Sequence, residues 1–167
     1  MKDRGILIVV SGFSGSGKGT LMKELLARYP DTYALSISAT TRSPREGEED
    51  GREYFFDTKE EFEKMIAKGD LIEYAKYVEN YYGTPRKYVE QKLEEGKDVI
   101  LEIEIQGALK VKKAFPDTLL LFVTPPTARE LQSRLVGRGT ETMDVIRSRM
   151  NRACEEAEGM DSYDYLI

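Results

Sequence analysis

The chain has 167 residues, 40% of them hydrophobic, with a net charge of −5, one cysteine and no histidine. This fits one domain with its own core, and the acidic balance argues against a nucleic-acid partner, whose affinity rests on surplus basic charge. The missing histidine excludes Ser-His-Asp and Cys-His catalysis and His-ligated zinc, and the lone Cys154, read as an ordinary helix side chain, leaves no internal disulfide.

No apolar run reaches the ~18–20 residues of a membrane span and no signal-peptide pattern opens the chain, so a cytoplasmic location without membrane contact is expected. Residues 5–11 read as a buried strand. It runs into Gly12-Phe-Ser14-Gly15-Ser16-Gly17-Lys18-Gly19-Thr20, and then Leu21, Met22, Leu25 and Leu26 follow at helical spacing. Strand, glycine-rich turn, lysine and helix together build a polyphosphate cradle: backbone N–H groups converge on phosphate oxygens and the helix offers its positive end. The spacing fits the Walker A pattern, with Gly19 in place of the usual hydroxyl residue and Thr20 supplying one a position later. A Gly/Ser turn of no consequence is the bland alternative.

Residues 33–39 alternate as a strand does, 40–53 form a polar loop, and 53–57 make a short strand. Thr58-Lys-Glu-Glu61 is a capping box opening a short helix that ends at Gly69. Residues 71–78 read as strand, 80–85 as a turn, and 88–95 as a helix stopped by Gly96. The apolar runs 99–105 and 119–124 suit buried parallel strands. Another capping box at Thr127–Glu130 opens a helix to about 135, 137–140 break it, 144–157 resume helical spacing, and 163–167 resemble a final strand. The order implies a parallel α/β core with ligands at the carboxyl ends of its strands and a β-rich insert over 34–97.

Arg42 and Arg45, three apart in a hydroxyl-rich turn fixed by Pro44, suit a forked grip on one phosphate, though a solvated mixed-charge loop has the same composition. Arg134, Arg138 and Arg149, around a Gly-bracketed break, suit a closing lid that neutralises a transferring phosphoryl group; a salt-bridged helix surface is the alternative.

Taken in order, the 12–20 loop, Ser38-Ala-Thr-Thr-Arg-Ser-Pro-Arg-Glu-Gly-Glu48, Asn80-Tyr-Tyr-Gly83, Leu101-Glu-Ile-Glu-Ile-Gln-Gly107 and Arg134-Leu-Val-Gly-Arg-Gly-Thr-Glu-Thr142 resemble the bacterial guanylate kinases over nearly the whole chain. The resemblance implies a P-loop-type parallel sheet flanked by helices. Its core comprises 1–33, 98–126 and 158–167, with a β-rich GMP-binding insert at 34–97 and a helical lid at 127–157. It implies Mg-dependent phosphoryl transfer from ATP to GMP, with no obligatory protein partner. Gly12, Ser14, Gly15, Ser16, Gly17, Lys18, Gly19 and Thr20 would hold ATP, with Thr20 the candidate magnesium ligand. Arg42, Arg45, Tyr54 and Tyr82 would hold the GMP phosphate; Ser38, Glu73 and Thr84 would face guanine, assisted by Glu102 or Glu104. Lys18, Arg42, Arg134, Arg138 and Arg149 would serve the transfer itself.

Two departures stand out. Glu104 takes a place where the family commonly has Asp, and the family pattern continues past Ile167 with an Asn-containing segment near the adenine and a C-terminal helix. A guanylate-kinase-like binding module, a shortened enzyme and a kinase for another nucleoside monophosphate are the competing expectations.

Overall fold

The computed structural model describes residues 3–77, 79–137, 139 and 142–167. Five parallel strands form one sheet in the order β2-β7-β1-β8-β9: β1 (Leu7–Gly12), β2 (Tyr33–Leu35), β7 (Asp98–Glu102), β8 (Leu119–Val123) and β9 (Tyr165–Leu166). The central strand is apolar on both faces because both are covered. Leu7 and Val9 join a cluster with Val89, Leu93, Ala108 and Val111, whereas Ile8 and Val10 pack with Met22. Helices α1 (Lys18–Arg28), α3 (Arg86–Glu94) and α4 (Ile105–Ala114) supply that cover, while α5 (Ala128–Gly137) and α6 (Met143–Ala157) pack on Phe13 and on Phe122 of β8.

A second sheet, ordered β4-β3-β6-β5, is built from β3 (Ser38–Thr40), β4 (Tyr54–Phe56), β5 (Leu71–Tyr77) and β6 (Asn80–Pro85). Helix α2 (Lys59–Lys68) packs on it through Phe62, which is fully buried and stacked on Tyr81 at a centroid distance of 5.2 Å. The capping box at Thr58 and Glu61 is formed, and Gly69 ends the helix. The second sheet falls within the 34–97 segment. That segment is not uniform, because Ala34 and Leu35 pair with β7, and Val89 and Leu93 lie in the core of the first sheet.

Three expectations are corrected. The single strand read at 33–39 is two strands in two sheets: the Ser36 N–H donates to the Ile100 carbonyl (2.8 Å), after which the chain crosses over. Alternation carries no mark of such a switch, since both halves alternate. The turn read at 80–85 is instead β6, an interior strand of the second sheet. Its turn-forming residues have other reasons to be there: a Cβ at Gly83 would lie 2.9 Å from the Glu73 carbonyl, and Pro85 sits at the strand end. The strand read over 99–105 stops at Glu102, and Ile105 opens α4, a helix the β-like alternation of Ile103 and Ile105 concealed. The end of the 71–78 strand at Val78 lies outside the described residues.

Phe62→Ala should destabilise the protein by ~3–5 kcal/mol, because a fully buried aromatic leaves a cavity that the stacked Tyr81 ring cannot fill. Urea denaturation measures this; a loss under ~1 kcal/mol would show that the second sheet does not depend on that contact.

Candidate active site

Strand β1 reaches β8 so closely at its end that a Cβ on Gly12 would lie 2.3 Å from the Val123 carbonyl oxygen. Only glycine fits, and the chain leaves the sheet there as a loop ending at Gly17, the residue before α1. The Lys18 ammonium folds back and donates to the carbonyls of Gly12 (2.7 Å) and Phe13 (3.4 Å). Ser16 is buried, with its hydroxyl unpartnered among the described residues. Gly17, Gly19 and Thr20 line a small pocket of about 430 Å³ together with Ser14, Gly15, Lys18 and Glu102.

Two expected lid arginines dock onto this loop. Arg134, on α5, donates to the Ser16 carbonyl (2.9 Å) and to Glu130 (2.8 Å), and Arg149, on α6, donates to the Ser14 hydroxyl (2.6 Å). Arg138 lies outside the described residues.

The second sheet carries the other expected group. Arg42 makes a forked pair with Glu48 at 2.8 and 3.0 Å, and its guanidinium lies 5.2 Å from the Tyr54 ring centroid and 5.7 Å from that of Phe56. Tyr54 and Tyr82 meet edge to face at 6.1 Å. Arg45 is exposed, and its backbone N–H donates to Glu48 at 2.7 Å. The Arg42 fork first, and the Arg45 N–H second, hold the Glu48 carboxyl at about 2, below its ordinary 4.5.

Glu73 sits at a register slip in β5, where Leu71 faces Pro85 but Tyr74 faces Gly83, one residue more on β5 than on β6. A bulge of this kind re-aims a side chain. Glu73 here accepts a 2.7 Å hydrogen bond from the buried Thr84 hydroxyl. Burial pushes its pKa up, against the lowering influences of Thr84 and Lys110. Ser38 lies at the start of β3, opposite Tyr54.

The expected helpers of Glu73, Glu102 and Glu104, both line a cleft that Tyr54 also lines. Glu102 lines the pocket of the glycine loop, and Glu104, at the N-terminal boundary of α4, reaches Arg152 at 2.7 Å. The cleft, of about 690 Å³, is lined by Gly12, Ser14, Lys18 and Arg149 and also by Tyr54, Glu102 and Glu104 of the expected GMP group, whereas Ser38, Arg42, Arg45, Glu73, Tyr82 and Thr84 lie outside its lining. Sequence reasoning missed Tyr77, Ser148, Arg152 and Glu156, which line the same cleft. For Arg152 a signal existed: it stands three residues after Arg149, on the same helix face.

Among the described residues no group of three or more His, Cys, Asp or Glu side chains could hold a metal ion alone, and no helix is long and apolar enough to cross a membrane.

A family model described as guanylate kinase matches residues 4–167. The guanylate kinase of Bacillus anthracis is 58% identical over 164 residues, covering 98% of this chain and 80% of that protein. That of Bacillus subtilis (strain 168) is 56% identical over 167 residues, covering 100% and 82%. Among solved structures, a guanylate kinase from Anaplasma phagocytophilum superposes with a TM-score of 0.73 at 32% identity, over 99% of this chain and 77% of that one.

The Glu48 carboxyl has a lowered pKa in the fold, so its stabilising contribution is present above its ordinary 4.5 and is lost as the pH falls through about 2. Arg42→Ala should return its titration, followed by carboxyl ¹³C NMR, most of the way to 4.5. A midpoint still near 2 would assign the effect to the Arg45 amide instead.

Proposed function

The chain belongs to the guanylate kinase family, and from that membership we propose that it moves the γ-phosphoryl group of ATP onto GMP, giving ADP and GDP. The observation that supports the mechanism is the shared cleft, lined both by the glycine loop with Lys18 and by Tyr54 of the second sheet. A donor triphosphate on the loop would thereby point at an acceptor phosphate held near Tyr54, without a residue in between to carry the group.

The ATP phosphates lie on the amides of Gly12–Thr20 and on Lys18, which exchanges its hold on the Gly12 carbonyl for phosphate oxygens. Magnesium fits the donor set there. One hydroxyl, Thr20, and one carboxylate, Glu102, line the loop pocket, and this ion commonly takes few protein ligands, with phosphates and water completing its shell. Held there, the ion would supply positive charge to the phosphates during transfer.

The GMP phosphate is gripped by Arg42, Arg45, Tyr54 and Tyr82. Support comes from the Arg42–Glu48 fork, which fixes the guanidinium plane beside both tyrosines before any ligand arrives. Ser38, Glu73 and Thr84 face guanine. Guanine offers N1–H and N2–H side by side, which one carboxylate accepts together; adenine has neither donor and would leave a buried acceptor unpaired. The 34–97 segment acts as the GMP-binding insert, working through its second sheet, and 127–157 acts as the lid. Glu104 meets Arg152 through one carboxylate oxygen, and with Glu102 it lines the cleft beside Tyr54, where either would assist Glu73 in reading the base.

No general base is required. The second ionisation of a phosphate monoester lies near pH 6, so the nucleophilic oxygen is already anionic at neutral pH. The barrier is largely repulsion between anions, which Lys18, Arg134 and Arg149 relieve at the transferring group. A single such arginine is worth ~10³–10⁵ in rate in related phosphoryl-transfer sites. The chain's lack of histidine is therefore no handicap. The intact Gly12, Gly15, Gly17 and Lys18 give no support to a binding module without catalysis.

Glu73→Gln tests the base reading. Preference for GMP over AMP, as the ratio of kcat/KM, should fall by at least ~10², since a lost donor–acceptor match of this kind discriminates by up to ~10⁴–10⁵. Burial raises the Glu73 pKa, so its charge costs the ligand-free fold stability as the pH rises through that raised value. The glutamine variant should consequently melt higher than the parent at neutral pH without ligand. Unchanged preference with unchanged melting would place guanine reading on other residues.

A further inference from the structure

Arg152 has no part in the family resemblance, yet it occupies a wall of the substrate cleft. It donates through NH2 to Glu104 at 2.7 Å and through Nε to Glu156 at 3.0 Å. These two carboxylates belong to different parts of the fold. Glu156 lies one turn further along α6, whereas Glu104 follows β7 of the first sheet and immediately precedes α4.

The Glu104 side chain makes no capping bond to its own helix. Its carboxylate is directed across the cleft to α6 instead.

A stability role does not explain this arrangement. The Arg152 and Glu104 side chains are 49% and 74% exposed, and pairs so exposed contribute little to folding. Their consequence is geometric. Arg149 stands one turn before Arg152 on the same face of α6 and reaches the glycine loop at Ser14. Helix α6 is packed through Ile146 and Ala153 against Phe13, Phe122, Leu131 and Leu135, and the Arg152–Glu104 pair adds a tie from this helix to the carboxyl end of β7, one turn from the Arg149 guanidinium.

We propose that Arg152 is a positioning residue for phosphoryl transfer: its ion pair with Glu104 straps α6 to the first sheet and thereby places Arg149 over the phosphate loop. The strap rests on the kinase reading above for its catalytic consequence but not for its structural one. Because Arg149 serves the transferring group, losing the strap lowers kcat and leaves the KM for GMP unchanged; a group that bound GMP directly would raise KM instead.

The lone cysteine gives a second readout that needs no turnover. Cys154 is exposed on α6, two residues beyond Arg152, and Lys113→Cys on α4 supplies an exposed partner site. With nitroxide labels at both positions, pulsed electron spin resonance should give one narrow distance distribution for the parent and a broader one for Arg152→Ala. In unlabelled protein, Arg152→Ala should lower kcat by about 3–5-fold, the most an exposed pair is worth, with KM for GMP unchanged and a thermal midpoint within about 2 °C of the parent. Arg152→Lys, which keeps the charge, should recover most of kcat. A superimposable distance distribution, or kcat within about twofold of the parent, overturns the strap. A parent protein that binds both nucleotides but makes no GDP overturns the kinase reading alone, and the distance comparison still decides the strap.

Discussion

The close approach of β1 to β8 at Gly12 constrains everything around the cleft. No side chain is tolerated beside the Val123 carbonyl, and the central strand ends there and turns out of the sheet as a loop that leads into the start of α1. This places a ready anion site at the carboxyl edge of a parallel sheet, where ligands of such folds bind. Helices α5 and α6 then need only reach over that one edge for Arg134 and Arg149 to touch the loop. Tyr54 of the second sheet lines the same cleft as the loop.

A second theme is that several of the cations around the cleft are held by the protein's own oxygens. Lys18 rests on loop carbonyls, Arg134 on Ser16, Arg42 on Glu48 and Arg152 on Glu104 and Glu156. In the proposed mechanism, phosphate oxygens take over those contacts at the loop, while Glu48 and Glu104 keep the Arg42 and Arg152 guanidinium planes oriented. Clustered positive charge is thus kept in place without substrate, and little reorganisation remains for the reaction itself.

Much of this was legible from residues. The glycine loop announces itself because its chemistry demands contiguous residues, and the Thr58 box and the Gly69 stop are likewise local signals that the structure realises. What escaped was non-local. The division of 33–39 between two sheets depends on what each half pairs with, and Asn80–Pro85 looks like a turn until Gly83 is seen against Glu73 and Phe62. The bulge that turns Glu73 toward Thr84 arises from a register between two strands, which no single segment encodes. Glu104 and Arg152 lie 48 residues apart in sequence, and their pairing was invisible for the same reason.

Product analysis decides whether this cleft joins an ATP site to a site selective for GMP. The protein is incubated with Mg·ATP and either GMP, AMP or no acceptor, and the nucleotides formed are separated and quantified. The account predicts ADP and GDP in equal amounts with GMP, and neither turnover of AMP nor release of ADP without an acceptor. ADP formed without matching GDP, or AMP accepted as readily as GMP, would contradict it.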